Sequence, residues 1–117
     1  MLEELEKLRE CDIIIVEGRK DEKALNRLGF YNIKRLNKPI YKIADECACC
    51  DNAAILTDLD SEGKRLYAKL RKCLSQMGIR IDNRFRNFLF RKTKLRQIEG
   101  LANYIDRNSL IAIYPDF

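Results

Sequence analysis

The sequence predicts an α/β protein built on a mainly parallel sheet of about four strands, with helices on both faces. Three observations carry that prediction. Short apolar runs, chiefly Ile13-Ile14-Ile15-Val16 and Ala54-Ile55-Leu56-Thr57, have the length and β-branched character of buried strands. Strand-like and helix-like segments alternate four times along the chain. The two strongest strand candidates also end in acids and then a glycine, as a buried strand does when it opens into a loop and helix.

Leu2, Leu5 and Leu8 stand at helical spacing among charges, which predicts a short amphipathic helix over residues 2–9 against the sheet edge. Residues 12–16 form the first strand and Gly18 the turn after it. A helix over 20–28 then turns Ala24, Leu25 and Leu28 inward and is capped by Gly29. Residues 31–36 alternate apolar and polar side chains and read as the second strand. Asn37-Lys38-Pro39 turns the chain into a helix over 41–50, with Ile40, Ile43, Ala44 and Cys47 inward. The third strand covers 53–57. Ser61 is the expected N-cap of the next helix, whose stripe is Leu66, Leu70, Cys73, Leu74 and Met77, and Gly78 stops it before a short strand over 79–82. The last third is less regular: 83–90 is a short helix or a loop, 95–105 a helix interrupted by Gly100, and 110–114 a final strand before Pro115. No repeat or low-complexity linker divides the chain, so one domain is expected, with its core over about residues 12–82 and a basic extension over about 83–117.

A chain of 117 residues, 46% hydrophobic and 35% charged, is ordinary for one globular domain and excludes a disordered one. No apolar run approaches a membrane span, and the first residues are acidic where a signal peptide would be basic, so a cytoplasmic protein with no membrane partner is expected. The five cysteines, an odd number without an export signal, are expected to be reduced. Cys47, Cys49 and Cys50 invite a zinc site, but four ligands are needed and the chain has no histidine; small buried or half-buried helix residues are the plainer reading. The net charge of +5 is unevenly spread. Residues 1–60 hold 10 Lys and Arg against 13 Asp and Glu, a balance of −3, while residues 61–117 hold 13 against 5, a balance of +8. That division suits a polyanionic substrate gripped by one half and attacked by the other.

The acids lie where the chemistry is expected. If extended geometry persists through Leu59, Asp58 and Asp60 leave their strand on the same side and converge. Converging carboxylates repel unless a cation lies between them, and a hard divalent ion such as Mg²⁺ prefers such oxygen ligands. Glu17 ends the other strong strand. Ligands of open parallel sheets collect outside the carboxyl ends of the strands, which brings all three acids to one crevice.

Taken together, Val16-Glu17-Gly18-Arg19-Lys20-Asp21-Glu22 and, about forty residues on, Thr57-Asp58-Leu59-Asp60-Ser61-Glu62-Gly63 resemble the Toprim domain. That domain is shared by topoisomerases, bacterial primases, a ribonuclease that matures 5S ribosomal RNA, overcoming-lysogenization-defect nucleases and recombination mediator proteins. The likeness covers about residues 12–77. It implies a compact Rossmann-like sheet, Glu17 as general acid or base, and Mg²⁺ or Mn²⁺ held by Asp58 and Asp60, with Glu17 as a further ligand. Some family members carry a further acid where Glu62 stands and bind a second ion; in its other reading Glu62 complements the dipole of its helix. Asp21 and Glu22 are read as helix caps.

Lys20 could meet a phosphate or pair with Glu17, while Lys64 and Arg65 stand at a helix N-terminus that favours phosphate. Between positions 80 and 96, Arg84, Arg86 and Arg91 belong to a basic strip interleaved with Phe85, Phe88 and Phe90. There the arginines are expected to touch a nucleic-acid backbone and the phenylalanines to fill the core. The expected activity is metal-dependent phosphoryl transfer on RNA or DNA, most simply endonucleolytic hydrolysis with Glu17, Asp58 and Asp60 as catalytic residues. A chain of this size has no room for the apparatus of a topoisomerase or a full primase. It is similar in plan to the Toprim core of the 5S ribosomal RNA maturase without that enzyme's additional sequence. Two competing expectations are a non-catalytic nucleic-acid-binding module and a subunit that docks its basic face on a protein partner in a nucleic-acid-processing complex.

Overall fold

A computed structural model of the chain describes residues 2–107, so the strand expected at 110–114 lies outside the described residues. Strand β1 (Ile13–Val16) carries four β-branched side chains that fill space on both sides of a sheet, and it lies at the sheet's centre. β2 (Ile33–Arg35), β3 (Asn52–Leu56) and β4 (Arg80–Ile81) complete a four-stranded, all-parallel sheet of order β2-β1-β3-β4. Every residue of β3 is buried. The β1–β3 register runs from Ile13 opposite Ala53 to Val16 opposite Leu56, so both strands finish level.

Helices α1 (Leu2–Arg9), α2 (Arg19–Arg27), α5 (Arg84–Lys92) and α6 (Leu101–Arg107), with a 3₁₀ turn at Ile98–Gly100, cover one face. α3 (Ile40–Glu46) and α4 (Ser61–Gln76) cover the other. The period of two along a strand sorts the core accordingly. Ile14, Val16, Ala54 and Leu56 meet Leu5, Leu25, Phe85, Leu89, Ile98, Leu101 and Ile105, whereas Ile15, Ala53 and Ile55 meet Ile43, Leu70, Leu74 and Ile79. The chain passes from β1 outward to β2 and then back across to β3. This opens a crevice between the carboxyl ends of β1 and β3, the usual ligand position in doubly wound sheets. No helix among the described residues is long and apolar enough to cross a membrane.

Several boundaries differ from expectation for physical reasons. β2 keeps only three residues, as an edge strand whose flanking Tyr31 is 75% exposed. α3 stops at Glu46, four residues early: Asp45 and Glu46 place negative charge at the negative end of the helix dipole, and Glu46 turns to Lys34 and Lys38 instead. Asp60, not Ser61, caps α4, and Met77 lies beyond the last helical residue, 40% exposed. The basic segment after β4 is helical, with Phe85 and Leu89 in the core and Phe88 and Phe90 half-buried.

Candidate functional site

β3 ends at Leu56, so Asp58 and Asp60 do not continue the ladder as the alternation of the sequence predicts; their carboxylates are engaged separately. Glu17, one residue past β1, accepts the backbone N–H of Asp58 on Oε2 at 2.6 Å. The carboxylate of Asp58 in turn accepts the N–H of Ile98 at 2.9 Å, and that of Asp60 accepts the N–H of Gly63 at 2.7 Å as the α4 cap. Glu17 and Asp58 therefore meet at the switch-point crevice. Asp60 stands at its rim, exposed, at the start of α4.

This turn is tightly built. Buried Thr57 donates its hydroxyl to the carbonyl of Gly63 at 2.7 Å, folding the loop onto the first turn of α4. A β-carbon at Gly63 would lie 2.0 Å from the carbonyl oxygen of Asp58, so only glycine allows this approach. From the other side, residues 94–100 lie across the loop, clipped to it by Ile98 and by the N–H of Leu59 donating to the carbonyl of Arg96 at 2.9 Å. Arg86 reaches in from α5, its guanidinium 4.5 Å from the Tyr67 ring centre and 5.0 Å from that of Phe90, and donates to the Asp58 carbonyl at 3.3 Å. Its Nε is buried without a hydrogen-bond partner among the described residues, and burial lowers its pKa from the ordinary guanidinium value.

Charge in the crevice is unbalanced. Burial raises the Glu17 carboxyl above its ordinary pKa against the opposing hydrogen bond from Asp58, and the charges of Asp58, Asp60 and Glu62 raise it further. Asp58 is raised by burial, opposed by the Ile98 hydrogen bond, with Asp60 and Glu99 adding to the rise and Arg86 subtracting from it. Asp21, only 7% exposed, accepts the N–H of Gly18 at 3.0 Å, as a capping acid at the third helical position does. Burial, with help from Asp58, Glu17 and Glu99, brings its pKa up to about 6. Its position in the first turn of α2 marks it in the sequence as a cap; its membership of the acidic centre depends on a burial that the sequence does not display.

The donor chemistry fits a hard divalent cation, since every candidate ligand is a carboxylate oxygen. Glu17 and Asp58 each give one oxygen to a backbone N–H, and the second oxygen of each has no hydrogen bond to the described residues. As placed, however, no group of three or more Asp, Glu, Cys or His side chains among the described residues is arranged to hold a metal ion. Glu62 is exposed and pairs with Arg65 at 2.5 Å. Cys47 is buried, Cys50 half-buried and Cys49 exposed, all as free thiols.

Among the predicted phosphate contacts, Arg86 touches the acid loop directly and Lys64 and Arg65 stand exposed in the first turn of α4. Lys20 stands in the first turn of α2 and, with Lys23 and Arg27, lines a groove against Gln97, Glu99 and Gly100. Arg91 lines another groove with Lys92, Lys94 and Tyr104. Arg84 is not brought to the crevice. It binds Asp82 at 2.6 Å and lies 3.6 Å from Glu10, at the end of the sheet where the strands begin, because β4 pairs only with the first residues of β3.

The architecture is that of a doubly wound, Rossmann-like α/β protein with acids at its switch point. No family model matches the chain. It is 38% identical over 111 residues to a UPF0292 protein of Pyrococcus abyssi, a match covering 91% of this chain and 84% of that one. It is 32% identical over 113 residues to a UPF0292 protein of Methanocaldococcus jannaschii, covering 92% and 88% respectively. The chain belongs to the UPF0292 family. Among solved structures it is similar to a putative protein from Aquifex aeolicus, with a TM-score of 0.76 and 32% identity over 86% of this chain and 96% of that one.

Proposed function

We propose that this protein is a cytoplasmic, metal-dependent phosphoryl-transfer enzyme acting on nucleic acid, a small endonuclease of Toprim type. The observation that supports it most is the hydrogen bond from the Asp58 N–H to the Glu17 carboxylate. It joins the ends of two parallel strands in a crevice where both carboxylates lie above their ordinary pKa. Perturbed acids at a switch point are where acid–base chemistry is expected.

Glu17 is suited to take the proton of an attacking oxygen or return one to the leaving oxygen, since burial and neighbouring charge bring its affinity for a proton closer to neutrality. Mg²⁺ or Mn²⁺ bound by Asp58 and Asp60, with Glu17 and Glu62 alongside, would supply the Lewis acidity that stabilises charge on the phosphodiester. Arg86 holds the Asp58 peptide in place, and the Ile98 N–H orients the Asp58 carboxylate. Lys20, Lys64, Arg65 and Arg91 offer cations to the phosphates on either side.

A second reading rests on a specific observation. Asp60 is already committed to capping α4, as suits a non-catalytic nucleic-acid-binding module or a subunit of a processing complex with a protein partner. Incubation with labelled structured RNA and with single- and double-stranded DNA, with and without Mg²⁺ or Mn²⁺, separates the two. Metal-dependent cleavage that falls about a hundredfold or more in Asp58→Asn supports the enzyme. Salt-sensitive binding that never leads to cleavage supports the module.

A further inference from the structure

Three open grooves follow one another around residues 94–100. The first, about 380 Å³, is lined by Lys20, Lys23 and Arg27 of α2 and shares Gln97 and Gly100 with the second. The second, about 490 Å³, holds Asp60, Lys94 and Arg96 and shares Lys94 and Leu95 with the third. The third, about 660 Å³, adds Arg91 and Lys92 with Tyr104 on its wall. Asp60 thus lies between two basic stretches, one on α2 and one running from the end of α5 into the loop.

Five of the cations in these grooves differ from those across the β2–α3 face. There Lys34 and Lys38 are paired with Glu46, and Arg35 with Glu22. Lys20, Lys23, Arg91, Lys92 and Lys94 make no ion pair with the described residues, and Arg96 donates only to the carbonyls of Thr93 and Leu95. Among the described residues, Glu99 is the one acid lining the first groove, as Asp60 is in the second. On α2 the positions 20, 23 and 27 recur on one face and span roughly 10 Å, a reach suited to successive phosphates of one strand.

We infer that a nucleic-acid strand lies along this track, entering over Lys20, Lys23 and Arg27, crossing the acid site beside Asp60 and leaving over Lys94, Arg96, Lys92 and Arg91. The inference rests on the proposed nucleic-acid activity and specifies its path: cations flank the acids on both sides, so that a polyanion is held across a crevice whose own charge would repel it. RNA and DNA share the phosphodiester chemistry of the track.

The test uses the full chain carrying Asp58→Asn, to prevent cleavage, with fluorescent RNA and DNA oligonucleotides at several salt concentrations. Lys23→Glu and Lys94→Glu are each expected to weaken binding at least tenfold. Together they should make the negative slope of log affinity against log salt shallower by about 2, near one unit for each phosphate no longer neutralised. Lys72→Glu, on the exposed face of α4, should bind as the parent does. Equal weakening with RNA and DNA assigns the recognition to the phosphates; weakening with one alone assigns the track to that polymer. If the parent binds while Lys23→Glu and Lys94→Glu bind equally well, the track is wrong and the proposed action on nucleic acid is not overturned with it. Weakening confined to one side overturns the two-sided path, and a parent that binds no polynucleotide overturns both.

Discussion

Where the strands begin, Asp12 accepts the N–H of Asp51 at 2.7 Å and that of Asn52 at 3.3 Å. Buried Asn52 reciprocates by accepting the Asp12 N–H at 2.8 Å, and Asp82 is held below the ordinary carboxylate range by Arg84. Where β1 and β3 end, Glu17, Asp58 and Asp21 crowd together. All three are raised, and Arg86, the cation that reaches their loop, binds a carbonyl instead of a carboxylate. The two ends of the sheet thus differ: at one, acids satisfied by hydrogen bonds and by Arg84 hold the fold together, and at the other, burial first and neighbouring charge second raise the acids. An arrangement that costs stability marks the crevice as a candidate site, whereas satisfied acids at the far end mark architecture.

Substitutions at five positions probe that contrast. Gly63→Ala should be the most damaging, at about 3 kcal/mol or more and a drop in Tm of about 10 °C or more. Its methyl group would meet backbone that cannot swing aside, and thermal unfolding by circular dichroism would measure it. Next, Asp21 and Asp82 should give opposite pH responses in urea unfolding. Folding raises the Asp21 pKa from 3.8 to about 6, so its contribution is full below the lower value and is lost as pH rises through the upper one. Asp21→Asn should therefore match the parent near pH 4 and exceed it at pH 7, by up to about 3 kcal/mol. Asp82 is lowered, so its support is present above the unfolded pKa and lost as pH falls, and Asp82→Asn should be the less stable protein at neutral pH. Parallel pH slopes for the two variants would erase the contrast.

Asn52→Ala should cost about 2 kcal/mol by leaving the Asp12 N–H unpaired, with no loss of any activity measured at the crevice. The smallest effect is expected at the rim. Asp60→Ala should lose about 1 kcal/mol as the α4 cap goes, while Asp60→Asn should keep most of that stability and lose any metal-dependent cleavage. Equal stability losses in the two would detach the cap from the site.

Much of this was legible in the residues. Four consecutive β-branched side chains and the run ending at Leu56 declare central strands, because only a doubly covered sheet buries such runs on both faces. Glu17 and Asp58 could be placed at one crevice because parallel strands in register finish level. Three features could not be read. The Asp60 carboxylate can extend a strand or cap a helix with equal local propriety, and the pull of Gly63 decided for the cap. Residues 95–105 read as one interrupted helix, whereas the chain is irregular up to Gln97, makes a 3₁₀ turn at Ile98–Gly100 and is α-helical only from Leu101, so nothing local foretells that Ile98 will hold Asp58. Arg84 and Arg86, two residues apart in the same basic strip, go to opposite ends of the sheet, a separation that depends on how short β4 is.

The 2.6 Å contact between Glu17 and the Asp58 amide also furnishes the molecule with a built-in spectroscopic sensor. A proton shared that closely with a carboxylate resonates far downfield, and it should move upfield as the acid is neutralised or drawn toward a newly arrived ion. One peak in a nitrogen-correlated NMR spectrum would then register occupancy of the crevice, with no substrate turnover required.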